Sequence, residues 1–169
     1  MAIILYVAAS AASWHLAEFV RRSRGYAGVR ERAAWQLQSV LFIMLAANTA
    51  WHGLDRLVDL FREVAIDNGW YAQRRIAQSD LILTLFNIGA VATALGLYWV
   101  RTPPRLALLS LVSSLVLVTF IFVRAISLHA VDQVLFTKMF GVTLSSMIEV
   151  GGITIILVLV IFRRAQADR

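Results

Sequence analysis

Each of the three histidines in this 169-residue chain is followed three positions later by a carboxylate: His15 by Glu18, His52 by Asp55 and His129 by Asp132. Tryptophan precedes two of them, in Trp14-His15 and Trp51-His52. On a helix, residues three apart share a face, so each pair can present an imidazole nitrogen and a carboxylate oxygen to one ion. Paired motifs of this kind on facing helices build carboxylate-bridged metal centres in bundles. His52, Asp55, His129 and Asp132, with Glu149 below them, are therefore a candidate site for zinc, iron, manganese or copper(II). A metal held there with an open position would activate water for hydrolysis, and a redox metal would open oxygen chemistry. A simpler reading stands beside this one. Histidine near a helix C-terminus is favoured by the helix dipole, and a neighbouring carboxylate stabilises its charged form without any metal. A proton-carrying or pH-responsive role is a third reading. His15 is expected to act locally with Glu18 and the Arg21-Arg22 run, because the first span separates it from the other two histidines.

A second group of residues stands out against its surroundings. Asn48, Asn87, Arg124 and Glu149 each interrupt an otherwise apolar run. Each falls about five to seven residues from the same predicted membrane boundary, roughly 8–10 Å deep at the helical rise. Charged and amide groups facing lipid would carry an uncompensated desolvation cost. The four are therefore expected to converge inside a bundle, with Arg124 and Glu149 as an ion pair. Such a cluster serves either as a brace that fixes helix register or as the floor of a pocket open to the outside. A weaker patch, Trp70, Tyr71, Arg74, Arg75 and Gln78, suits an anionic lipid or phosphate, or simply an interface anchor.

The elements that must position these residues follow from composition. Hydrophobic residues make up 60% of the chain and charged residues 15%, and mean hydropathy is +0.74. A water-soluble domain of this size carries more charge and few long apolar runs. Five stretches are long enough to cross a bilayer, roughly Ala2–Val20, Trp35–Leu54, Leu81–Val100, Leu106–Leu128 and Phe140–Phe162. The expected fold is a single all-α domain over residues 1–169, a bundle of five transmembrane helices. The apolar pattern of Leu57, Leu60, Phe61 and Val64 predicts a short helical extension on the outside, bent along the interface through about Ala65 and stopped at Asn68-Gly69. A further helix is expected to start near Trp70. Small residues at Ala8 and Ala12, at Gly89, Ala92 and Gly96, and at Gly151 and Gly152 are candidate helix contacts.

Charge sets the direction. Fifteen of the sixteen basic residues are arginine. Arg21, Arg22, Arg24, Arg30, Arg32, Arg101, Arg105, Arg163, Arg164 and Arg169 fall on one side of five alternating spans. Arg56, Arg62, Arg74, Arg75 and Lys138 fall on the other, among six acids. The positive-inside rule then places the N-terminus outside and the C-terminus inside. This points to a multi-pass protein of a bacterial inner (cytoplasmic) membrane, not to a nucleic-acid binder. The first apolar stretch lacks a positive n-region and is expected to remain as a span rather than serve as a cleaved signal.

The absence of cysteine excludes disulfides and thiolate chemistry. No phosphate-binding glycine loop, nucleophile elbow or zincin helix is present. Lys138 falls in a connection, which argues against a retinal protein. Small size and the lack of a catalytic signature lead to an accessory or scaffold subunit, packed against a larger membrane assembly or against copies of itself. The metal-binding protein or metalloenzyme described above is the alternative. A small transporter with Arg124 and Glu149 lining a path is another, weakened by the scarcity of broken spans.

Overall fold

The computed structural model describes residues 2–69, 80, 83–84, 87–91, 94–95, 98, 105–126, 138–139 and 142–167. It is almost entirely helical. Helix α1 spans Ala2–Arg24, α2 spans Val29–Trp51, α3 spans Gly53–Asp67, α4 spans Arg105–Ile126 and α5 spans Leu144–Ala167. The described residues between 80 and 98 are also helical. Among the described residues, three stretches can cross a membrane by length and composition: Ala2–Trp51, Arg105–Arg124 and Leu144–Gln166. The first is folded back on itself as the α1–α2 hairpin.

That hairpin closes through a 3-10 turn, Gly25–Gly28. Gly25 has φ +51°, a left-handed conformation that glycine adopts without the Cβ penalty. Gly28 lets the backbones approach, since a Cβ there would lie 2.8 Å from Val20 Cγ1. Arg21, Arg22 and Arg24 end α1, where positive charge complements the helix dipole.

Pairings across the bundle give the helix directions. Ser10 meets Ser39, Ser13 meets Gln38, and the Tyr6 ring stacks on Phe42 at 6.1 Å, so α1 and α2 are antiparallel. Trp35 shares one cluster with Ala107, and Phe42 and Leu45 share another with Leu117, so α2 and α4 run the same way, with Gln38 meeting Ser110 between them. Arg124 meets Glu149 and Gly152 sits against Leu117, so α4 and α5 are antiparallel. Tyr6 meets Glu149 at one end of α1 and Phe19 lies under Arg164 at the other, so α1 and α5 are parallel.

Two principal apolar clusters fill the bundle. One joins Tyr6, Ala9, Phe42, Leu45, Ala46, Leu117, Ile153 and Ile156. The other joins Leu16, Ala17, Val20, Trp35, Ala107 and Val160. Small side chains let the helices close up, as expected where lipid supplies no hydrophobic drive between them. The positions differ from the expected ones on α1. Ala9, Ser10, Ser13 and Ala17 are buried against neighbours, whereas Ala8 is exposed and Ala12 only half-buried. Rotation of the helix, which spacing alone does not reveal, makes the difference. Gly152 packs on Leu117 while Gly151 opens to free space, and Gly89 faces Thr119. Ala92 and Gly96 lie outside the described residues.

Helix α2 stops at His52, whose φ of +52° turns the chain into α3. Helix α3 presents Leu57, Phe61 and Val64 along one exposed stripe, between acids and arginines. It ends at Asn68-Gly69, with Gly69 at φ +73° and the Asn68 side chain donating to the Val64 carbonyl. The expected helix start near Trp70 lies outside the described residues. Helix α5 begins at Leu144 rather than near Phe140, because Lys138–Met139 and Val142–Thr143 pair as two short antiparallel strands. Thr143 then caps α5, its Oγ1 accepting from the Ser146 N–H at 3.3 Å.

Candidate functional site

Buried polar side chains form three levels along the bundle. At the end where α5 begins, Arg124 Nη1 donates to Glu149 Oε2 at 3.0 Å, and the Tyr6 hydroxyl donates to Glu149 Oε1 at 2.5 Å. Three helices thus meet at one carboxylate. Helix α5 supplies Glu149 one turn past its N-terminus, where the helix dipole favours negative charge. Helix α4 supplies Arg124 in its last turn, where the dipole favours positive charge.

At mid-height the network is uncharged. Gln38 Nε2 donates to Ser13 Oγ at 3.1 Å, and Ser110 Oγ donates to Gln38 Oε1 at 2.9 Å. Ser10 and Ser39 join through their hydroxyls at 2.9 Å. Ser114 turns back to the Ser110 carbonyl, the local bond that serine makes within a helix. Gln38 is fully buried and spends its amide on two other helices.

At the opposite end, Arg163 of α5 grips Glu31 of α2 with two bonds, Nε to Oε1 at 2.7 Å and Nη2 to Oε2 at 3.1 Å. Both side chains are 3% exposed. Arg24 Nη1 lies 3.5 Å from the same carboxylate, and the Trp35 indole N–H reaches Oε1 at 3.5 Å. Helix α5 is therefore fastened at two levels, Glu149 and Arg163, roughly 21 Å apart at the helical rise.

The predicted polar cluster is divided by the fold. Arg124 and Glu149 are brought together. Asn48 is drawn off to the α2–α3 corner, where its Oδ1 accepts the Leu54 N–H at 2.8 Å. There it satisfies one of the free donors at the start of α3, as an asparagine near a helix N-terminus commonly does. Asn87 is exposed and donates to the Leu83 carbonyl of its own helix at 2.9 Å. Each of the two asparagines spends one amide atom on a nearby backbone group, while Glu149 is held by Tyr6 and Arg124.

Of the His-x-x-acid pairs, His52 and Asp55 stay together at the α2–α3 corner. His52 Nδ1 lies 3.2 Å from Asp55 Oδ2, with both side chains about 70% exposed, at 72% and 69%. Glu149 uses both oxygens within the bundle, on Tyr6 and Arg124. His129 and Asp132 lie outside the described residues, as do Trp70, Tyr71, Arg74, Arg75 and Gln78. Among the described residues no three His, Cys, Asp or Glu side chains gather as a metal would need. On α1, Glu18 pairs with Arg21 at 2.6 Å and His15 is exposed.

Glu31, Arg163, Tyr6, Gln38 and the serines were not singled out from the sequence. Glu31 had a signal, as the one acid within the Arg21–Arg32 run. Gln38 had another, as an amide within an apolar span. Arg163 had none, because topogenesis already explained a basic C-terminus. Comparison with protein-family models, curated proteins and solved structures finds no match.

Proposed function

We propose that this protein is a five-pass, N-out/C-in subunit of a bacterial-type inner membrane, acting as an accessory or scaffold component of a membrane assembly. The observation that carries the reading is the pairing of the two buried carboxylates among the described residues with arginines of other helices: Glu149 with Arg124, and Glu31 with Arg163. Ionisable groups inside a membrane protein mark either a transport route or an internal tie. Here each charge is neutralised by a neighbour, which suits a rigid framework. The five-pass count is supported by α2 and α4 running the same way, because the chain between them must return through the thickness of the bundle. The orientation is supported by arginine density at the Glu31–Arg163 end.

Purification in gentle detergent from native membranes tests the scaffold role. The same partner, or a defined homo-oligomer, should be recovered repeatedly and survive cross-linking. Recovery of a monodisperse single chain alone would overturn it.

The second reading is a metal held at the outer face, in which His52 and Asp55 would act with His129 and Asp132. One observation favours it. A carboxylate on His52 Nδ1 fixes the ring and leaves Nε2 outward, as in histidines that bind metal. Near-stoichiometric zinc, iron, manganese or copper in protein from native membranes would support it. Metal-free folded protein would end it.

A further inference from the structure

Positive-inside topology accounts for the charge of an arginine, and not for a guanidinium nitrogen enclosed by protein without an acceptor. Arg32, in the first turns of α2, has such a nitrogen: its Nε is buried and has no hydrogen-bond partner. Buried donors are almost always satisfied, so an exception of this kind asks for a missing acceptor. The adjacent Glu31 does not supply it: its carboxylate is turned to Arg163 and Trp35, with Arg24 beside it. Arg32 lies two turns before Ser39, on the flank of α2 that faces α1. Exposed Arg21, Arg22 and Arg24 close α1 at the same end of the bundle. Among the described residues, no carboxylate forms an ion pair with Arg32 or Arg22. Among the described residues, eight arginines at this end stand against Glu18 and Glu31.

We infer that Arg32, with Arg22 beside the α1–α2 turn, binds the phosphate headgroup of an anionic phospholipid of the inner leaflet. A guanidinium presents two parallel N–H groups that match phosphate oxygens, which an ammonium does not. Arg32 as a whole is only half-buried, so binding through Nε and a terminal nitrogen requires its side chain to turn toward the headgroup. The acceptor chemistry is that of any phosphate. The site's place beside membrane-spanning helices, with Tyr26 projecting from the turn at 98% exposure, selects the lipid over a free ion. The inference rests on the proposed orientation for the word inner, and on the membrane reading for the word lipid.

Thermal unfolding and native mass spectrometry of the full chain test it, in maltoside micelles doped with a phosphatidylglycerol, with a phosphatidylcholine, or with inorganic phosphate at equal phosphate concentration. Phosphatidylglycerol should be retained and should raise the midpoint, and the other two should do neither. Arg32→Gln should weaken phosphatidylglycerol retention by about fivefold to tenfold. Arg32→Lys should recover only part of it, and Arg62→Gln on α3 should leave it unchanged. Equal retention by wild type and Arg32→Gln would overturn the site. If Arg32→Gln fails to fold, wild-type retention by Arg32→Lys would overturn the fork-like recognition. Equal stabilisation by phosphatidylcholine or by inorganic phosphate would overturn the anionic-lipid assignment. Micelle binding does not depend on orientation. Labelling of a cysteine at Tyr26→Cys in intact cells therefore separates failure of the topology from failure of the site.

Discussion

Glu31 and Arg163 are 132 positions apart in the chain and meet in a two-point ion pair that water barely reaches. The pair ties the start of α2 to the end of α5 and so closes the bundle at its arginine-rich end. Its counterpart is Arg124–Glu149, which ties the end of α4 to the start of α5.

Removing one member of a buried pair leaves a charge without compensation, whereas replacing both with apolar residues does not. Arg163→Ala should destabilise the protein by about 3–5 kcal/mol. The double variant Glu31→Leu with Arg163→Met should lose much less. Thermal unfolding in detergent of the two single variants and the double variant reads the difference. A double variant as unstable as the worse single variant would show that the ionic contact itself is needed.

At the opposite end, Glu149 has two partners of unequal weight. Tyr6→Phe removes one hydrogen bond and should cost about 0.5–2 kcal/mol. Arg124→Ala leaves the carboxylate without its counter-charge and should cost more. Glu149→Gln should relieve most of the Arg124→Ala penalty. Unfolding midpoints for this set would contradict the geometry if Tyr6→Phe proved the more damaging change.

Gly89 faces Thr119 so closely that a Cβ would lie 2.7 Å from its Oγ1. Gly89→Ala should therefore destabilise, by about 1–3 kcal/mol for an overpacked contact. Thr119→Ala in the same chain should restore most of the loss. Absence of any rescue would place the helical residues of 80–98 away from α4.

His52 holds a left-handed conformation that asparagine also tolerates and a β-branched residue does not. His52→Asn should leave the unfolding midpoint nearly unchanged, and His52→Val should lower stability by about 1–3 kcal/mol. If a metal is bound there, His52→Asn should lose it while remaining folded. Elemental analysis of the two purified proteins decides this without confusing ligand loss with misfolding.

Topology can be mapped cleanly because the chain has no cysteine. With the N-terminus outside, a membrane-impermeant thiol reagent applied to intact cells should label Asp67→Cys and spare Tyr26→Cys. The reverse pattern would invert the bundle.

Much of this architecture is written in one dimension. The apolar runs mark α1, α2, α4 and α5, with ends up to six residues from the helix ends. The periodic leucines and Asn68-Gly69 mark α3 and its end. Arg124 and Glu149 are legible as partners because two opposite charges in neighbouring apolar runs have few other ways to be satisfied.

Only the tertiary structure decided which polar groups meet. Asn48 and Asn87 share a predicted depth with Arg124, yet each finds a backbone partner within six residues, at Leu54 and Leu83. Glu31, Gln38 and Ser110 find theirs on other helices. The reason is rotational. Spacing and hydropathy fix how deep a residue lies along its helix, while the direction it faces depends on how small side chains such as Ala9, Ser13 and Gly152 let neighbouring helices turn and close.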